Sequence, residues 1–390
     1  MRGLALAGGG ARGAYHIGVV KAYIESGYEF DGYVGTSIGA INAAILAQGD
    51  FDKAEELWQN ISMEQIFSIE ESRLITLGET KFDIHLSADL TKGIKKVIKG
   101  KGVDTTKIKA FFETYIDETK IRQSGKDYGL VTVSIDEYKP YEIFLEDIPE
   151  GKLINYIMAS SSLPGLKSEV IGEKKFLDGG FYNNFPINLL VDKGYDEIIA
   201  IRTGAPGIFR KVNKNANVKI IIISTEEVLG DLLVFSPENS RFNIKLGYYD
   251  GMRAIKGLQG RQYYVNVQNR DALYRPIMSM TDKHIEQLEE ILEPAKLPFK
   301  RSLFEHIIPQ LGAYLKLDKD FDYPDFVIAL LEYAAKQREI ERFALYTYDE
   351  FFQLIKANPL PEKEDSLLGI LFSSKKEKAV EAFIEILLSL

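Results

Sequence analysis

The segment LALAGGGARGAYHIGVVKAY, residues 4–23, drives an apolar run straight into Gly8, Gly9, Gly10 and Gly13, and apolar residues at helical spacing follow. A strand that ends in glycines and reopens as a helix is the start of a β–α unit, and such units assemble into layered domains with a largely parallel sheet. The glycines themselves have two readings. Taken as G-x-G-x-x-G over Gly8, Gly10 and Gly13, they are a dinucleotide turn, which requires an acid at the end of the second strand to hold the ribose. Taken as backbone N–H donors ahead of a helix N-terminus, Gly9, Gly10 and Ala11 can receive an oxyanion, with Arg12 adding positive charge nearby.

The remaining pattern supports an α/β class for the first two thirds of the 390 residues. Strands are predicted over 3–7, 33–36, 130–135, 142–145, 174–177, 197–202, 219–224 and 263–267, and Gly172-Glu173 reads as a hairpin turn, making one pair antiparallel. From about residue 281 the β pattern disappears. TDKHIEQLEEILE, YPDFVIALLEYAAKQREI and KKEKAVEAFIEILLSL repeat apolar residues at three and four, and prolines punctuate the helix ends. Two domains are expected: an α/β domain over 1–270 and an all-helical domain over 281–390.

Charge and composition remove several function classes. A formal net charge of −9 lacks the basic footprint of a nucleic-acid binder. With no cysteine there is no disulfide, thiol nucleophile or thiolate metal site, and four scattered histidines leave little for a metal cluster, so neither metal nor cofactor is expected. The N-terminus lacks a secretory-signal design, and no stretch reaches the roughly 20 apolar residues of a membrane-spanning helix. A cytoplasmic protein is the expectation; peripheral membrane contact and export without a cleavable signal are left open.

The second strand decides between the two readings of the glycines. Asp31 lies near the spacing a dinucleotide site needs, but at the start of that strand; its end carries Gly35-Thr36-Ser37-Ile38-Gly39. G-x-S-x-G is a nucleophile elbow, in which small residues let a sharp strand-to-helix turn hold the serine out. A serine hydrolase of the usual kind also needs a histidine base. His16 is placed to pack beneath the elbow, while His85, His284 and His306 sit in otherwise ordinary positions. In KKFLDGGFYNNFPI, by contrast, a strand ends at Asp178, and Gly179 and Gly180 permit a turn that exposes the carboxylate.

The blocks GGGARG, GTSIG, ASSSLPG and DGGFYNNFP occur in the order and context of the patatin-like phospholipases, which this chain resembles over roughly residues 3–205. The resemblance implies a three-layer α/β/α fold and a Ser–Asp dyad without histidine. In that dyad Ser37 attacks an ester carbonyl and Asp178 acts as base. It further implies an oxyanion hole from Gly8, Gly9, Gly10, Ala11, Arg12 and Gly13, a lipid or fatty-acyl ester substrate, and phospholipase A or lysophospholipase activity. KSEVIG after LPGL departs from the apolar residues common in the family and leaves chain-length preference open.

Two alternatives stay in view. An acyl-serine can be resolved by an acceptor other than water, although the acyltransferases of related fold place a histidine beside the serine where this chain has Thr36. A non-catalytic dinucleotide module would use Gly8, Gly10, Gly13 and Asp31. Lys92, Lys95, Lys96 and Lys99 recur at helical spacing and are expected to form a solvated helix face, with anionic lipid headgroups as the competing reading. SLLGILF and AFIEILLSL are expected to be packed helix. No motif names a protein partner.

Overall fold

The computed structural model describes residues 1–68, 104–213, 217–360 and 374–390. Lys92, Lys95, Lys96, Lys99, His85 and SLLGILF therefore lie outside the described residues. The chain divides into two compact units, Met1–Ile255 and Lys256–Leu390.

In the first unit, strands β1 (Arg2–Leu6), β2 (Gly32–Thr36), β3 (Asp127–Ser134), β4 (Lys139–Phe144), β5 (Val170–Ile171), β6 (Lys174–Asp178), β7 (Glu197–Ile201) and β8 (Lys219–Ile223) form one sheet. Its order is β5-β6-β3-β2-β1-β7-β8, with β4 also on β3. β3, β2, β1, β7 and β8 run parallel, whereas β4 and β6 pair with β3 in the opposite sense. The expected antiparallel hairpin is present as β5 on β6. Each central strand is a continuous apolar run because both faces are covered. β2 is buried at every position, and Leu4, Ala5, Leu6, Ile198, Ile199 and Ile201 are fully buried. Each such Leu or Ile contributes roughly 1.5–3 kcal/mol of hydrophobic stabilisation.

Two helices follow directly from the first two strands. Helix α1 (Ala14–Glu25) buries nine residues, and α2 (Ile38–Ala47) buries all ten. A helix apolar on every side belongs inside a domain. α2 meets β1, β2 and β3 on one side and α1 and α3 (Phe51–Asn60) on others. Beneath the elbow, Asn42 joins the helices: its Nδ2 donates to Gly13 O at 3.0 Å and approaches His16 Nδ1 at 3.2 Å, while its Oδ1 accepts Trp58 Nε1 at 2.8 Å. His16 is fully buried, and desolvation lowers its pKa to about 3, so it stays neutral.

The second unit is helical, with one departure from expectation. Strands β9 (Tyr264–Asn266) and β10 (Leu345–Thr347) pair in parallel. β10 lies inside the stretch expected to be all-helical: three residues are too few to show a period, and their pairing partner lies 81 residues earlier in register. That pairing also ties 264–266 to the helices, so the boundary falls at residue 255 rather than between 270 and 281. The core gathers Leu288, Ile307, Phe326, Leu330, Phe351 and Phe383. Caps mark two of the helix starts: Asp322 accepts the Asp325 N–H, and Thr347 that of Glu350. Among the described residues no helix is long and apolar enough to cross a membrane.

Candidate active site

Ser37 stands between β2 and α2 with φ 56° and ψ −126°. A non-glycine residue held there carries backbone strain of order 1–3 kcal/mol, which persists only where the surroundings over-determine it. They do so here. A Cβ on Gly35 would lie 2.1 Å from Gly39 O, and one on Gly39 would lie 2.3 Å from Leu6 O, so the turn closes only with glycine at both places. The Ser37 N–H donates to Ser160 Oγ at 2.9 Å, and its carbonyl accepts from Ala40 at 2.8 Å as α2 begins. The preceding Thr36 is tied by its hydroxyl to Asn183 O at 2.8 Å.

Asp178 reaches Ser37 through the register of β3. Thr36 pairs with Val131 on one side of that strand, and Asp178 pairs with Thr132, the next residue. The Asp178 N–H donates to Ser162 O at 2.9 Å, and Oδ1 accepts the Gly180 N–H at 2.7 Å. A Cβ on Gly179 would come within 2.2 Å of Val131 O, which keeps the turn tight against β3. The carboxyl is 2% exposed. Burial raises its pKa to about 6, against the Ser37 hydroxyl and the Gly180 N–H, which favour the ionised form. Oδ2 makes no hydrogen bond of ordinary geometry to any described residue.

The glycine loop divides its labour. Gly8 N–H donates to Asn184 O at 3.1 Å, Ala11 N–H to Leu232 O at 2.7 Å and Arg12 N–H to Gly9 O at 3.1 Å. Gly13 packs instead, since a Cβ there would sit 2.7 Å from Trp58 and 2.8 Å from Ile38. Of the six residues expected to form the oxyanion hole, Gly9 and Gly10 are left with N–H groups that donate to no described residue, and both line the cavity beside Ser37. Gly10 has φ +53°, and a Cβ on it would lie 1.9 Å from Leu232 O. The Ala11 N–H is thus committed to a distant partner, Leu232 O, and the Arg12 N–H to Gly9 O within its own turn. The Arg12 guanidinium holds Gly230 O at 2.8 Å and Gly204 O at 3.1 Å, tying down two loops, and burial lowers its pKa.

Two cavities meet at Ser37. One of about 30 Å³ holds Gly9, Gly10, Asp178, Gly180 and Asn184; the other, about 50 Å³, is apolar and lined by Ile38, Ile41, Phe67, Phe112, Met158 and Phe235. Among the described residues, Asp178 is the only titratable side chain lining either. The charges after LPGL stay outside: Lys167 is exposed, and Glu169 pairs with Lys109 at 3.1 Å. A larger cavity of about 410 Å³ is lined wholly by second-unit residues such as Arg261, Asp318 and Glu332, and holds none of these groups.

His284 and His306 make only local contacts in the second unit, the first in a helix cap, the second with Gln310 and Glu293 O. Asp31 is committed at the start of β2, where its Oδ2 accepts the Arg2 N–H at 2.7 Å, at the opposite end of the strand from the elbow. Among the described residues no cluster of His, Asp and Glu could hold a metal ion. Ser160, Ser162 and Asn184 carry the site without having been singled out; their signal was the uncharged polar residues in ASSSLPG and DGGFYNNFP, to which no role had been attached.

The segment that carries Ser37 and Asp178 also matches known proteins. Residues 4–191 match the family described as patatin-like phospholipase. An uncharacterized NTE family protein of Mycobacterium tuberculosis is 32% identical over 51% of this chain and 30% of its own length. The neuropathy target esterase sws of Drosophila melanogaster is 32% identical over 52% of this chain and 13% of its own length. A lysophospholipase, nte1, of Neurospora crassa is 29% identical over 52% of this chain and 12% of its own length. This chain thus spans less than a third of the length of each of these relatives. Residues 4–191, which lie within the α/β unit with its mostly parallel sheet and ahead of the helical region, belong to the patatin-like phospholipase family.

Proposed function

We propose that this chain is a serine lipid acyl hydrolase of phospholipase A or lysophospholipase type, with Ser37 as nucleophile and Asp178 as general base. One observation carries the reading: a strained, buried serine whose cavities contain, among the described residues, a single titratable side chain, a desolvated aspartate on the neighbouring register position.

Ionised Asp178 takes the Ser37 proton as Oγ bonds to the ester carbonyl carbon. The carbonyl oxygen becomes an oxyanion and is received by the Gly9 and Gly10 N–H groups. Each such donor contributes on the order of 3–4 kcal/mol to the transition state. Collapse breaks the bond to the alcohol oxygen, which leaves with the proton from Asp178. Water then gives a proton to Asp178, attacks the acyl-serine and releases the fatty acid, returning the proton to Ser37. A pKa raised to about 6 suits this alternation, because the group is ionised at neutral pH yet a stronger base than an exposed aspartate. The apolar lining of the cavity beside Ser37 matches an acyl chain in chemical character, and the relatives' names fit a lysophospholipid or phospholipid ester.

The test is mass-spectrometric detection of free fatty acid from mixed-acyl phospholipid vesicles and, in parallel, from lysophospholipid. Release by wild type and none by Ser37→Ala is expected. Equal release by both, or by neither on both substrates, overturns the reading.

A further inference from the structure

We infer that the segment ASSSLPG, residues 159–165, is a two-point clamp on the proposed Ser–Asp pair, with Ser160 the positioning residue for the nucleophile. The inference rests on the hydrolase reading above and goes beyond it. Helix Leu153–Ser160 ends at Ser160, and the chain then turns through Ser162. From this one turn, Ser160 Oγ accepts the Ser37 N–H at 2.9 Å, and the Ser162 carbonyl accepts the Asp178 N–H at 2.9 Å. The two members of the pair, 141 residues apart in sequence, are thus held by acceptors two residues apart.

The two grips differ in kind. Ser37 has a positive φ, and its N–H faces a buried region where an unmet donor is costly. Only a side chain meets it, since Ser160 is fully buried and its hydroxyl is the acceptor. Ser162 grips Asp178 through its backbone; its hydroxyl donates to Met158 O at 2.9 Å and accepts the Glu169 N–H at 3.2 Å, which serves the turn itself. Ser160 lines neither cavity at Ser37, so it acts through Ser37 rather than on substrate. Losing its oxygen frees the Ser37 backbone to rotate, which moves Oγ relative to Asp178 and to the Gly9 and Gly10 donors. Displacements of about 1 Å at such a pair cost on the order of a hundredfold in rate.

The experiment compares wild type, Ser37→Ala, Ser160→Ala, Ser160→Cys and Ser162→Ala in fatty-acid release and in the rate at which a neutral fluorophosphonate labels Ser37. Ser160→Ala is expected to lose roughly ten- to a hundredfold in kcat and in labelling rate. Its KM should stay within about twofold and its pH midpoint near 6, because the burial of Asp178 and the Gly180 N–H are untouched. Ser160→Cys, close in size but a poor acceptor, should show the same split, and it supplies the answer if the alanine variant does not fold. Ser162→Ala keeps its backbone carbonyl on Asp178 but loosens the turn, so it should melt earlier and lose less kcat than Ser160→Ala. Wild-type kcat and labelling in both Ser160 variants would overturn the clamp, as would an equal loss in Ser162→Ala. A wild type that neither turns over ester nor takes the label overturns the hydrolase reading and removes the clamp with it, a result distinct from the other two.

Discussion

The turn after β2 and the turn after β6 are both strand ends followed by glycines, yet each holds its functional side chain at a different cost. At Ser37 the cost is geometric: positive φ in a residue with a Cβ, enforced by backbone contacts at Gly35 and Gly39. At Asp178 the backbone is ordinary for a strand end, with φ −49° and ψ 133°, and the cost is electrostatic, a carboxyl taken out of water with one oxygen left without a regular partner. The difference teaches that this site stores strain in two currencies, and that substitutions at the two turns should change stability in opposite directions.

The largest effects break both turns at their reacting atoms. Ser37→Ala and Asp178→Asn are each expected to lower kcat by at least about a thousandfold while circular dichroism stays native; substantial turnover in either variant would sink the pair. Gly35→Ala tests the geometric cost: its Cβ would meet the Gly39 backbone, so both activity and melting temperature should fall. A melting temperature equal to wild type would show that the elbow has slack. Asp178→Asn tests the electrostatic cost. A carboxyl whose folded pKa is raised from 3.8 to about 6 adds nothing against folding while protonated below pH 3.8; its cost to folding builds between pH 3.8 and 6 and is fully present above 6. Removing it should stabilise the fold by about 3 kcal/mol at pH 8 and by nothing near pH 3.5 in denaturant titrations. The same carboxyl should make wild-type kcat/KM fall below about pH 6. The smallest effects are expected at His284 and His306, whose replacement by alanine should leave kcat within about twofold; a loss matching Ser37→Ala would restore a histidine base.

Much of the site was legible because glycine punctuates it. Gly35 and Gly39 flank Ser37, and Gly179 and Gly180 follow Asp178, so both side chains could be picked from local pattern. The α/β layering and seven of the eight strands of the sheet were readable from apolar runs, and β5 only from the hairpin turn beside it. Assigning donors in the glycine loop was beyond such reading, because which N–H remains open depends on acceptors that arrive from Leu232 and Asn184, far along the chain. The strand at 345–347 was invisible for a similar reason: three alternating residues become a strand only when 264–266 is beside them.

By itself, then, the sequence determined which side chains stand at strand ends and how each backbone there is able to turn, since those follow from residue type and short-range sterics. Only the tertiary structure decided that Thr36 and Asp178 sit on adjacent register positions of β3, that two of the glycine-loop N–H groups stay open, and that one serine turn grips both partners. Those are matters of which distant hydrogen-bonding groups meet once the core has closed, and each buried donor must find an acceptor wherever the chain brings one.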